Sequence, residues 1–113
     1  MIRVIEIGQI VAGPTAGLIL SDLGFEVIKI EQPGKGDISR HLIGSSSGAY
    51  PFYNRNKKSL TLDLKNGRDI FLKLIKLADI LIDNLGAGTM EKFNLGYDEL
   101  KKINPGLIYI SIK

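Results

Sequence analysis

Short runs of β-branched and aliphatic residues, each about one strand long, alternate along this chain with stretches of helical periodicity. That alternation is the feature that most constrains the fold. Arg3 to Ile7 is the first strand-like run. Gly13-Pro14 follows, and Pro14 suits the first turn of a helix, where its missing N–H costs nothing. This helix continues through Ala16, Leu18, Ile19 and Leu20, with Gly24 as its C-terminal stop. Glu26 to Glu31 is a second strand with polar ends. Ser59 to Leu64 reads as a third. Asn66-Gly67-Arg68 opens a helix whose Ile70, Phe71, Leu74, Ile75 and Ala78 share one face. Ile80 to Ile82 is a buried strand, followed by the turn Asn84 to Gly88. A short helix runs from Thr89 to near Gly96, another from about Asp98 to just before Pro105, and Leu107 to Ile112 is a last strand. A β-α-β unit followed by further βα units predicts an α/β fold: a Rossmann-like, largely parallel sheet with helices on both faces.

Between the second and third strands lies a loop-rich stretch, Gln32 to Asn56, with Gly34, Gly36, Gly44, Gly48 and three consecutive serines. Irregular stretches of this length inside a compact domain are commonly functional. The last strand ends one residue short of Lys113, with no helix to cover it. Open α/β sheets bind ligands outside the carboxyl ends of their strands, so the chain reads as incomplete.

Composition removes several kinds of chemistry. There is no cysteine, hence no disulfide, no thiolate nucleophile and none of the usual zinc sites. His41 is the single histidine, and no G-x-S-x-G nucleophile elbow accompanies it. Fifteen basic and twelve acidic residues are interspersed, giving a net charge of +3 without a basic block for nucleic acid. The N-terminus starts directly as a strand, with no signal-peptide core and no apolar run long enough to span a bilayer. The expectation is a soluble, cytoplasmic protein.

Four segments could hold a ligand. Val11 to Gly17 joins the first strand to the first helix, and its small residues allow close approach to free N–H groups. Its glycines do not follow the G-x-G-x-x-G dinucleotide spacing. Gly34 to Arg40 presents an arginine suited to forking onto phosphate oxygens. Asn54 to Ser59 is short, basic and polar. Asn84 to Gly88 lies at the carboxyl end of a buried strand, where α/β proteins bind ligands. Each segment also reads as ordinary turn or solvated loop chemistry. The carboxylates Asp22, Asp63, Asp79 and Asp83 lie at element ends and are expected to cap helices or face water, and no metal-ligand cluster is present.

The order and content of these segments resemble one family. Val11-Ala12-Gly13-Pro14 and Leu20-Ser21-Asp22-Leu23-Gly24-Phe25-Glu26-Val27-Ile28-Lys29-Ile30-Glu31 resemble the opening of class III CoA-transferases. Gly36-Asp37 with Arg40, Asn54 through Lys65, Ala78-Asp79, Asp83-Asn84, Gly88 through Lys92, Leu95-Gly96-Tyr97 and Asn104-Pro105 continue the match in family order. The family includes formyl-CoA and carnitine CoA-transferases and is related to alpha-methylacyl-CoA racemase. The resemblance covers essentially the whole chain and implies that residues 1–113 are the N-terminal part of a coenzyme-A-binding Rossmann-like domain. The full-length protein would be an interlocked homodimer. Acyl-CoA and a free carboxylate would be its substrates, with no separate cofactor, nucleic acid or membrane partner. An aspartate would attack the thioester and pass the acyl group through anhydride and thioester intermediates; that residue is expected beyond Lys113, so the chain alone is expected to be inactive.

Residue by residue, the resemblance implies that the Val11 and Ala12 backbone lines the thioester end and that Arg40 contacts the CoA phosphates. Leu60 would lie near the adenine, Asn84 and Leu85 would border the nucleotide or pantetheine, and Lys92 would face the ADP part. Val11 stands where formyl-CoA transferase has glutamine, which argues against strict formyl/oxalate specificity. Leu85 replaces an aromatic residue and Ala87 a common proline. Ser45 to Asn56, with Tyr50, Phe52 and Tyr53, keeps a length that racemases shorten, which favours transferase. An acyl-CoA racemase and a non-catalytic CoA-binding fragment are the alternatives.

Overall fold

The computed structural model describes residues 1–113. Five strands form one sheet: β1 (Arg3–Ile7), β2 (Glu26–Glu31), β3 (Lys58–Thr61), β4 (Ile80–Asp83) and β5 (Ile108–Ser111). Their order is β3-β2-β1-β4-β5, and every pairing is parallel. The chain winds outward from β1 to β3, then crosses back to continue from β4 to β5. The order therefore reverses between β1 and β4, the position where doubly wound sheets open a ligand crevice.

Helix α1 (Ala12–Asp22) covers one face, over Val4, Val27 and Ile82, which pack with Ala16 and Leu20. It ends in a Schellman motif: Phe25 N donates to Leu20 O, Gly24 N donates to Ser21 O, and Gly24 takes φ 95°. Helices α3 (Arg68–Lys76), α4 (Thr89–Lys92) and α5 (Tyr97–Ile103) belong to the other face. There Phe71, Ile75, Met90, Leu95 and Leu100 close over Ile5, Ile7, Ile30 and Leu81 as the main core. Parity along the strands produces this division, since Val4 and Ile5 point to opposite faces.

Three expectations are corrected. The stretch 32–56 is not simply irregular, because it contains 3₁₀ turns at Ile38–His41 and Gly44–Ser46 and a helix, α2 (Ala49–Asn54). That helix packs on α1, and Asn54 Nδ2 donates back to Tyr50 O at 3.0 Å. β3 covers Lys58–Thr61 rather than 59–64, because β2 ends at Glu31 and offers it no further partner. Asp83 does not face water: it is buried, accepting from Leu85 N at 3.2 Å and from the Tyr109 hydroxyl. Burial, reinforced by Asp83, pushes the Tyr109 phenol upward. No helix is long and apolar enough to cross a membrane.

Candidate functional site

A cleft of about 210 Å³ opens outside the carboxyl ends of β1, β2 and β3. Ile7, Ile30 and Leu62 supply its apolar floor, and Leu64, Leu85 and Phe93 its wall. Gly8, Gln9, Glu31, Gln32, Asp37, Asp63 and Thr89 give it a polar rim. An apolar slot with a few polar groups at its edge suits a flat, partly polar ring. At this volume it encloses one part of a large ligand.

The turn from β1 to α1 forms one side of this cleft. Gly8 and Gly13 approach so closely that a Cβ on Gly13 would lie 3.0 Å from Gly8 Cα and 3.1 Å from the Asn84 side chain. Asn84 treats Gln9 as a strand would: its Oδ1 accepts from Gln9 N at 2.9 Å and its Nδ2 donates to Gln9 O at 3.0 Å. Ile10 has φ 67°, a left-handed conformation that a β-branched residue avoids. Its N–H donates to Asp37 Oδ1 at 3.1 Å. The amides of Val11 and Ala12, at the start of α1, find no acceptor within the chain.

Beneath α1 lies a buried cluster of two carboxylates and two ammonium groups. The parallel register sets Glu6 beside Lys29. Lys29 Nζ reaches Glu6 Oε2 at 2.8 Å, Asp37 Oδ2 at 2.9 Å and the Gly8 carbonyl at 2.9 Å. Lys57 Nζ donates to Glu6 Oε1 at 2.6 Å, Pro14 O at 2.8 Å and Asn54 Oδ1 at 2.9 Å. The cluster is neutral overall, and that neutrality makes its burial tolerable. Burial pushes Lys57 below its ordinary value. Burial also pushes Asp37 upward, but hydrogen bonds from Lys29 and Ser39 outweigh it and hold the carboxyl low. Gly17 passes directly over Glu6, where any side chain would collide.

A second polar group lies at the end of β2. The buried Glu31 carboxylate accepts from Arg40 Nε at 2.7 Å and Arg40 Nη2 at 2.8 Å. It also accepts from Asp37 N at 2.9 Å and from the Ser59 hydroxyl. Arg40 above all, with Ser59 and the Asp37 amide, holds Glu31 at about 2. The Arg40 guanidinium lies 3.9 Å from the Tyr50 ring centroid and donates to its hydroxyl. Burial and the adjacent Glu31 push that phenol up to about 12.

All four segments singled out in the sequence converge here. Asn84 grips the β1–α1 turn, Asp37 of the glycine-rich loop holds Ile10, and Lys57 of the basic segment reaches Glu6. Leu85 lines the cleft, while Val11 and Ala12 sit exposed at the start of α1. Arg40 borders an adjoining groove with Lys35, His41 and Thr61. Leu60 is half-buried against the main core, and the exposed Lys92 projects from α4, neither of them lining the cleft. The roles of Glu6, Lys29, Asp37 and Lys57 as one cluster were missed. The signal was present: aligning β1 with β2 in parallel puts an acid beside a base on a face that α1 must cover.

A parallel sheet in this order, with a cleft at its carboxyl edge, defines a doubly wound α/β domain of the kind that binds nucleotides and related ligands. The chain belongs to CoA-transferase family III, whose model matches residues 1–113. It is 42% identical to succinyl-CoA–D-citramalate CoA-transferase of Chloroflexus aurantiacus, the match covering 98% of this chain and 29% of the relative. It is 43% identical to succinyl-CoA:mesaconate CoA-transferase of Haloarcula hispanica, over 99% of this chain and 31% of the relative. The crystal structure of Rv3272 from M. tuberculosis superposes with a TM-score of 0.91 at 43% identity, covering 97% of this chain and 31% of that one. The chain thus spans less than a third of the length of these relatives.

Proposed function

We propose that residues 1–113 form the coenzyme-A-binding part of an enzyme that moves CoA from an acyl-CoA to a free carboxylic acid. The observation that carries this reading is the cleft at the sheet's carboxyl edge, beside which lie an arginine on an adjoining groove and unpaired backbone amides on the β1–α1 turn. Its apolar slot suits an adenine or the pantetheine arm, with Leu85 and Asn84 at its border. Arg40, already gripped by Glu31, offers its remaining guanidinium edge to a phosphate. The free amides of Val11 and Ala12 suit the thioester end, where negative charge develops on the carbonyl oxygen during acyl transfer. Leu60 and Lys92 support the nucleotide end less directly, through the core beneath β3 and a single mobile ammonium on α4.

The covalent step belongs to a carboxylate outside residues 1–113. It attacks the thioester carbon and expels the CoA thiolate, leaving an acyl–enzyme anhydride; the thiolate then attacks the enzyme's own carbonyl, releasing the donor acid and leaving an enzyme–CoA thioester. The acceptor carboxylate attacks that thioester, forming a second anhydride and freeing the thiolate, which takes up the acceptor's acyl group and restores the enzyme carboxylate. An interlocked homodimer in the cytoplasm completes the proposal.

Titration of the chain with coenzyme A by calorimetry tests it. Saturable binding is expected, weakened by about 1–3 kcal/mol in Arg40→Ala, the range for a charge-assisted hydrogen bond. A folded chain that takes up no CoA would overturn the reading.

A further inference from the structure

The β1–α1 turn is held peptide by peptide from outside. Lys29 of β2 fixes the Gly8 carbonyl, Asn84 after β4 fixes both polar groups of Gln9, and Asp37 fixes the Ile10 amide. Between them Ile10 keeps its left-handed backbone at φ 67°. The next two amides, of Val11 and Ala12, are left without acceptors. Lys29 is 1% exposed, and an apolar side chain there would avoid the cost of stripping an ammonium of water. An ionic group kept in such a place fits a demand for direction, because the Gly8 carbonyl and the Ile10 amide, on either side of Gln9, need opposite partners.

We propose that Lys29 and Asp37 are positioning residues for acyl-CoA recognition: by clamping Gly8 and Ile10 they aim the Val11 and Ala12 amides at the thioester end of the ligand. This rests on the reading of the cleft as a CoA site. Asp37 also links the two ends of that site, since its own backbone N–H donates at 2.9 Å to Glu31, the carboxylate that holds Arg40. The turn and the arginine therefore share one residue.

The test is the paired variant Lys29→Met/Asp37→Leu. It removes one positive and one negative charge, leaves Glu6 paired with Lys57, and takes away both the donor to the Gly8 carbonyl and the acceptor of the Ile10 N–H. Two probes are titrated, acetyl-CoA and adenosine 3′,5′-bisphosphate, which has the nucleotide end alone. The expected result is an affinity loss of about tenfold for acetyl-CoA, as for one hydrogen bond, with the bisphosphate essentially unchanged. In parallel, the backbone of Ile10, followed by carbon chemical shifts and residual dipolar couplings, is expected to leave the left-handed region. Equal losses for both probes would mean a merely structural pair, and no loss for either would mean no positioning role; each overturns the proposal. Should the paired variant not fold, Asp37→Glu keeps the charge but lengthens the arm, and the same selective loss is required of it. If the wild-type chain binds neither probe, the CoA reading falls on its own. The positioning of the turn is then judged at Ile10, where an unmoved backbone in the variant refutes it.

Discussion

Gly17→Ala should destabilise the chain although it replaces glycine by the best helix former in the middle of α1. On propensity alone the substitution is worth about 1 kcal/mol in favour of folding. The new methyl, however, would lie 2.1 Å from Glu6 Oε1 and 3.2 Å from Lys57 Nζ. Glu6 has nowhere to withdraw: it is fully buried, and its two oxygens hold Lys29 at 2.8 Å and Lys57 at 2.6 Å. Either α1 lifts off the sheet or the carboxylate lets go of an ammonium that has no water to turn to. Breaking a buried pair costs about 3–5 kcal/mol. After subtracting the propensity gain, the net loss is about 2–4 kcal/mol. Urea unfolding followed by circular dichroism measures it directly. With a slope of about 2 kcal/mol per molar, the middle of the urea range for small proteins, the midpoint should fall by about 1–2 M. A midpoint equal to or above that of the wild type would refute the claim that Gly17 exists to admit the Glu6 cluster.

Tyr109→Phe leaves one oxygen of the buried Asp83 without its donor and should cost about 1–3 kcal/mol, seen as a lower thermal midpoint; an unchanged midpoint would mean that the pair contributes nothing. Glu31 gives the fold an acid limit. Its carboxyl is lowered in the folded chain from 4.5 to about 2, so its contribution is complete above 4.5 and drains away as the pH falls toward 2. Arg40→Ala removes the main cause of that shift and should flatten the pH dependence of the urea midpoint across this window; the same slope in both proteins would exclude Glu31 as its source.

Much of the fold was legible because the strands announce themselves. Arg3–Ile7 and Glu26–Glu31 were read at their true bounds, since both are short apolar runs closed by turn residues. Helix α3 was legible from the spacing of Phe71 and Ile75, the two residues it buries. Helix α2 was not, because Gly48, Tyr50 and Pro51 are poor helix signals and its support comes from α1. The segments around the site were identified, but not what their side chains do. Asn84 looked like a turn residue and proves to be a backbone mimic for Gln9. Arg40 looked like a free phosphate ligand and spends two nitrogens on Glu31. Lys29 and Glu6 were not singled out at all, because a single strand does not reveal which of its charges the neighbouring strand will meet.

That last meeting has a kinetic side. Glu6 needs two cations, and the second, Lys57, lies 51 residues further along the chain. A nascent β1–α1–β2 unit can bring Glu6 to Lys29, but it buries the carboxylate half-answered and leaves α1 resting on an unfinished floor. Local contacts alone therefore make a poor folding nucleus here. The first lasting structure should require a loop closure that reaches past α2, and the loss of entropy in that closure has to be met before the charges repay it. The N-terminal half is thus committed to folding as one cooperative piece, in which the earliest strand waits for a lysine made much later.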